Sequence, residues 1–197
     1  VLRLTVKLTD TLSGVNLWGK SMNYSLKTTS ILEIENQVVA TVAATVGESH
    51  GVIPHRLMEE ALTRHSDSLS DYDAILRFYH YFRFLEGEAF TDAMEALEKV
   101  LKRNPRHALA AAMLGDLIAC IYQFGFEDST SFLDRAEELG RRAIAIDPNC
   151  QPARFTMALV HFLRDQRDLF LEEAEKTLQL NPNNTLFVSC TALHLRY

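Results

Sequence analysis

The sequence is poor in the residues that mark chemistry or compartment. Its three cysteines, Cys120, Cys150 and Cys190, are odd in number and far apart, with no CxxC pair. That argues against a disulfide framework and favours a reducing, cytoplasmic setting. Glycine is sparse, eight residues in 197, and unclustered, so nothing resembles a phosphate-binding glycine loop. No apolar run approaches the ~20 residues of a membrane-spanning helix. There is no basic excess either. The formal net charge is -6, and 19 of the 26 Asp and Glu follow residue 70. Non-specific nucleic-acid binding needs a basic face, so that class is disfavoured. There is no initiating Met: Val1 opens directly on strand-like sequence, which points to a piece of a longer protein.

What is present is a normal globular balance, 47% hydrophobic and 23% charged, enough to bury a sizeable core. Residues 2 to 9 alternate strictly. Leu2, Leu4, Val6 and Leu8 fall on one face and Arg3, Thr5, Lys7 and Thr9 on the other, the pattern of a half-buried strand. A turn ending at Gly14 leads to a second strand, Val15 to Tyr24, and so to a hairpin. Ile31, Ile34, Val38, Val39, Val42 and Val46 then recur at helical spacing. Ser30 and Glu33 form a capping box for that helix, and Gly47 is placed to end it. Pro54 suits the first turn of a short helix, and the polar run from Ser66 to Ser70 reads as a boundary. Two regions are therefore expected, 1–66 and 71–197.

From Asp71 the chain reads as helix after helix, and one spacing recurs. Pro105, Pro148 and Pro182 each close a helical segment. Ala93, Ala136 and Phe170 stand twelve residues before them, and Leu97, Gly140 and Ala174 eight before. Val100, Ala143 and Thr177 stand five before, and Leu101, Ile144 and Leu178 four before. These steps trace one helix face, and proline ends each helix at the same phase. Between them lie other helices: one capped by Ser70 with Asp73 and broken at Gly87, one from Ala108 to about Phe124 that is apolar almost all round, and one opened by Pro152. Thr91, Ser131 and Asp168 read as caps of the proline-closed helices, and a last helix starts at about Thr185.

Candidate chemistry is thin. Gly47-Glu48-Ser49-His50-Gly51 matches GxSxG, which would make Ser49 a hydrolase nucleophile. That motif needs a strand before the serine and a helix after it, whereas here a helix precedes and Pro54 follows. His50, His55 and His65 fit no metal-ligand spacing. His80 and His161 read as packing histidines. Acidic pairs such as Asp71/Asp73 and Glu172/Glu173 sit near helix starts, where the helix dipole favours them. No catalytic residue, metal or cofactor is expected, and the chain reads as a non-enzyme.

Pro148 and Pro182 are 34 residues apart. Two helices per unit, a small residue at fixed phase and a closing proline make 71–197 resemble the tetratricopeptide repeat. Ala93 and Ala136 fall on the small position of that family's second helix, Ala143 on its usual alanine with Val100 as the counterpart, and Gly115 on the glycine of the first helix. The departures are Arg77, Ala111 and Arg154 at the aromatic position, and Phe170 at the small one. The middle unit is also longer, 43 residues from Pro105 to Pro148, with the extra length around Tyr122 to Thr130. The resemblance implies an α-solenoid of antiparallel helical hairpins whose first helices line a concave face that binds a protein or peptide. The residues at those positions are Tyr79, Phe82, Met113, Asp116, Phe155 and Leu159.

Leu4 to Asp10, Ser13-Gly14, Leu17-Trp18, Tyr24 and the helix after residue 30 resemble the end of a TolB-like α/β domain. In bacteria that module precedes tetratricopeptide repeats in class III adenylate cyclases and winged-helix regulators. The fold class expected is therefore mainly α: helical-hairpin repeats preceded by a β-hairpin and helix left from an α/β domain. The function implied is an interaction or regulatory scaffold of a larger bacterial signalling protein. The alternative is a homodimer through residues 2–24, because a lone hairpin is marginal in water and its edge invites a second copy.

Overall fold

Strict alternation at the start of the chain produces β1 (Leu2–Thr9), which pairs antiparallel with β2 (Asn16–Tyr24). Leu2 faces Tyr24, Leu4 faces Met22 and Leu8 faces Trp18, so both strands contribute apolar side chains to one half-buried face. On the other face the Thr5 and Ser21 hydroxyls meet at 2.9 Å. A bulge between Leu8 and Thr9 shifts the register before the turn, where Gly14 takes φ +70. The computed structural model describes residues 1–11, 14–46, 52–63, 70–126, 129–182 and 184–196, with the side chains of 44, 55 and 59–63 excepted.

The helix after the hairpin, α1 (Ile31–Val46), starts as its sequence requires. The Ser30 backbone N–H donates to Glu33 Oε2 at 2.9 Å, and the Glu33 N–H donates to Ser30 Oγ at 3.2 Å. Its apolar stripe is only partly covered. Ile34 is buried, and Val38, Val42 and Val46 are half-buried, but Ile31 and Val39 are 72% and 60% exposed. The stripe read from sequence was thus too wide. The next helix is α2 (Val52–Thr63), with Pro54 in its first turn. The chain divides into two compact units, Val1–Leu57 and Met58–Tyr197.

From residue 70 onward the described residues form helices joined by short turns. These helices are α3 (Asp71–Phe84), α4 (Gly87–Arg103), α5 (Ala108–Gln123), α6 (Ser131–Ile146), α7 (Gln151–Leu163), α8 (Arg167–Leu180) and α9 (Thr185–His194). The helices pack in pairs as hairpins, α3 with α4, α5 with α6 and α7 with α8, and the pairs join through α4 with α5 and α6 with α7. The chain is mainly α, with repeated helical hairpins following a small β-hairpin.

The prolines act at a common phase. Asn104, Asp147 and Asn181, each just before one, have φ/ψ of -130/85, -138/100 and -152/92. The proline ring excludes the helical region for the residue before it, so each helix stops there. At the last stop, buried Gln151 donates from Nε2 to the carbonyls of Thr177 and Asn181, both at 2.8 Å. Within each hairpin the turn uses one left-handed residue: Leu85 (φ 55), Gly125 (φ 67) and Asp165 (φ 57). The Phe126 N–H reaches Ile121 O and the Gln166 N–H reaches His161 O, which satisfies carbonyls at the helix ends.

The arginines standing where the repeat family has an aromatic are paired. Arg77 on α3 meets Asp92 on α4 at 3.2 Å, and Arg154 on α7 meets Glu173 on α8 at 3.2 Å. An ion pair thus joins the two helices of the hairpin where ring packing would. Three caps differ from expectation. α4 begins at Gly87 rather than breaking there, and Thr91 sits inside it with its hydroxyl on Gly87 O. Ser131 is the first residue of α6, with Thr130 at its N-cap. Asp168 lies in the first turn of α8, after Gln166 at the cap. The Ser70–Asp73 capping box forms as read.

Candidate functional site

The candidate surface lies on the first helices of the hairpins. On α5, residues Ala110 to Cys120 are all buried, an uninterrupted run that requires neighbours on every side. On one side Gly115 admits α6 and α7: a Cβ there would lie 3.1 Å from Thr156 Cγ2 and 3.2 Å from Ala136 O. The Thr156 hydroxyl donates to Ala112 O at 2.9 Å, tying α7 to α5. On the side of α5 that carries Asp116 and Cys120, Tyr81 of α3 and Cys190 of α9 lie close.

α9 contributes four inward residues, Phe187, Cys190, Thr191 and His194. Phe187 packs its ring 5.0 Å from Phe155. His194 lies 4.5 Å from Phe162, and its Nε2 is 3.2 Å from Gln123 Nε2. Burial, together with the nearby Asp116 carboxylate, pushes the Cys190 thiol up to about 11. Thr191 is buried with its hydroxyl unpartnered.

The six residues read from sequence therefore divide. Tyr79 and Phe82 are half-buried on α3, flanking buried Phe78 at 5.4 and 4.8 Å. Met113, Asp116, Phe155 and Leu159 are buried, none more than 4% exposed, and so present no open surface here. Packing against neighbouring helices hides these four, so a partner would reach them only if that cover moved.

Asp116 is the exception within this packing. It is 1% exposed, and both carboxylate oxygens lack a hydrogen-bond partner. Burial alone pushes its carboxyl up to about 8, so it rests as the neutral acid at neutral pH. Its charge is felt by Tyr81 on α3, Cys120 on α5 and Cys190 on α9, and each is raised first by its own burial.

The sequence missed a second exposed feature. Phe84 and Leu85 at the α3–α4 turn and Phe124 and Phe126 at the α5–α6 turn are large, apolar and exposed. Phe124 and Phe126 pack edge to face at 6.1 Å. A cleft of about 250 Å³ opens between the α7–α8 turn and the end of α9, with Phe162, Phe170 and His194 in its wall. His161 Nδ1 meets Gln166 Oε1 at 2.6 Å, and burial lowers His80. No group of three potential metal ligands occurs among the described residues. Gly47, Ser49, His50 and His65, and the boundary run 66–69, lie outside the described residues, as does the side chain of His55. No described helix is long and apolar enough to cross a membrane.

No protein-family model matches this sequence, and comparison with curated proteins finds no match. Among solved structures, a thermophilic TPR (tetratricopeptide-repeat) protein from Thermus thermophilus is similar at 15% identity, with a TM-score of 0.50. The match covers 83% of this chain and 78% of that one. The likeness is one of fold.

Proposed function

We propose that the chain is a protein–protein interaction module without catalysis of its own. The observation that carries this reading is the apolar edge at the hairpin turns. Phe84 and Leu85, at the end of the helix that carries the half-buried Tyr79 and Phe82, and Phe124 and Phe126 at the next turn expose large side chains. Exposed aromatic and aliphatic clusters on a repeat scaffold are docking surfaces by their physics, since water gains when they are covered. Leu85 supports this further. It holds a left-handed conformation that disfavours leucine, and it is 64% exposed, so neither backbone nor burial accounts for leucine there.

In this reading the partner is a protein or peptide, and the setting is a cytoplasmic bacterial signalling protein. The hairpin and α1 are then the end of a TolB-like α/β domain, with 1–66 and 71–197 as the two regions. A cyclase or winged-helix regulator is the kind of protein to which they would belong. Affinity capture with the wild-type chain and with a Phe84→Asp/Phe124→Asp variant tests the reading. A partner retained by the wild type and lost by the variant, at unchanged melting temperature, is expected. Equal retention by both would refute it.

Homodimerisation through residues 2–24 is a second reading, and one observation favours it. The sheet has two strands, and the outer edge of each lacks a sheet neighbour among the described residues.

A further inference from the structure

α9 packs like a ligand of the repeats. Phe187, Cys190, Thr191 and His194 follow i, i+3, i+4 and i+7, so one face of a ten-residue helix meets the inner sides of α5 and α7. The fit is incomplete. Leu193 and Leu195 remain exposed, a cleft opens beside His194, and the helix leaves the Thr191 hydroxyl and both Asp116 oxygens unpartnered. Burying a polar group without a hydrogen bond is unfavourable, and a helix this short has no stability of its own in water. α9 is therefore held by this imperfect contact and by its packing on α8, which precedes it in the chain.

We propose that α9 is a displaceable occupant of the face formed by α5 and α7, and that this face takes in its place an amphipathic helix of a partner protein bearing a lysine or arginine at the position of Cys190. The inference rests on the interaction reading above and names the chemistry of the partner. Charge complementarity selects the cation. Asp116 is a buried carboxylate, and the groups that respond to it from α3, α5 and α9 are Tyr81, Cys120 and Cys190, none of them cationic. An ammonium or guanidinium in place of the Cys190 thiol would supply the missing donor and draw the neutral acid into its ionised form, as a charge-assisted bond. Met113, Phe155 and Leu159 would then receive the apolar side of the same helix, in the place Phe187 now holds.

The test uses the full chain and two fluorescein-labelled peptides spanning 184–196, one unchanged and one with Cys190→Lys. Anisotropy titration should show the lysine peptide binding about tenfold more tightly. Asp116→Asn and Asp116→Leu, which remove the ionisable group, should abolish that advantage. Binding of the lysine peptide should also speed reaction of the resident Cys190 with a disulfide reagent, as α9 leaves. Absence of binding, equal affinities, or an advantage that survives both Asp116 variants would overturn the proposal. So would a dimer of exchanged α9 helices that the unchanged peptide dissociates, because the occupant would then be a second copy. If the peptides fail while Phe84→Asp/Phe124→Asp still loses its captured partner, the interaction reading stands and this inference falls.

Discussion

The side chains of Gln123 and His194 meet at 3.2 Å between their Nε2 atoms, joining the end of α5 to the end of α9 across 71 residues of sequence. The amide N–H can only donate, so His194 Nε2 must accept and the ring must be neutral. Burial lowers the His194 pKa in the same sense, outweighing its bond to the Cys190 backbone. Asp116, under the same helix, is raised to about 8 by burial.

The two groups set opposite pH limits on the α9 contact. His194 is depressed, so its contribution is present above its ordinary value of 6.5 and is lost as pH falls below that. Asp116 is raised, so its contribution is greatest below 3.8 and is lost as pH rises toward about 8. Tyr81, Cys120 and Cys190, the other titratable groups at this contact, are all raised and remain protonated across that range. The urea midpoint should fall between pH 6.5 and 8 in the wild type. In Asp116→Asn it should be flat over that range and higher at pH 8. A midpoint in the variant that falls as steeply as in the wild type would contradict this assignment.

Gly115 and Gly140 sit in similar places but should respond differently to alanine. A Cβ on Gly115 would stand 3.2 Å from the Ala136 carbonyl and 3.3 Å from Leu139 Cβ, neither of which can swing away. A Cβ on Gly140 would meet Met157 Sδ at 2.9 Å, the far part of a flexible side chain. Alanine gains ~1 kcal/mol of helix propensity over glycine at either site. Overpacking costs ~1–3 kcal/mol where the neighbour is fixed. Gly115→Ala should therefore lower stability by denaturant titration, and Gly140→Ala should lie near neutral. The reverse order would show that the packing around Gly115 yields more readily than that around Gly140.

How much of this was legible follows from where each signal lies. The proline phase is local: the ring restricts its own neighbour, and Asn104, Asp147 and Asn181 adopt the extended conformation the sequence implied. The capping boxes at Ser30 and Ser70 are local in the same way. The candidate surface was not legible, because part of what surrounds Asp116 comes from α9, some 70 residues later. Its inward face, with Cys190, Thr191 and His194, does not read as an apolar stripe. The turn at Leu85 was missed for a physical reason as well. Leucine is disfavoured at positive φ, so Gly87 looked the better break, and it proved to be the first residue of α4.

Leu85→Gly separates stability from docking. Leucine at φ 55 carries a left-handed penalty of ~1 kcal/mol that glycine does not. Its side chain is 64% exposed, so little burial is lost. The variant should be as stable as the wild type or more so by thermal melting, and weaker in capture of a partner. A large loss of stability would mean that Leu85 packs more than its exposure indicates.

Gln151 ties two hairpin ends together. It is buried, and its amide serves the carbonyls of Thr177 and Asn181, where Pro182 stops α8. Leucine in its place would remove this donor from both carbonyls, at a cost of ~1–3 kcal/mol for the buried one at Thr177. Gln151→Leu should lower the melting temperature, and hydrogen exchange should speed first in α8 and α9, which follow the broken contact. Unchanged exchange there would show that the two bonds do not hold the end of the repeats.

The hairpin makes the last prediction. Leu2, Leu4, Leu8, Trp18, Met22 and Tyr24 share one half-buried face on a sheet of only two strands. Two strands alone are marginal in water, and an edge without a neighbour is a template for another strand. If residues 2–24 join two copies, light scattering should give a dimer mass for the whole chain and a monomer mass once residues 1–28 are removed. Lysine at Val6, in the middle of the apolar row of β1, should also shift the whole chain toward monomer. The helical unit should keep its circular dichroism in both variants, because its buried core is built from α3 to α9. A monomer for the whole chain as well would reject the homodimer and leave the exposed turns at Phe84 and Phe124 as the surface to pursue.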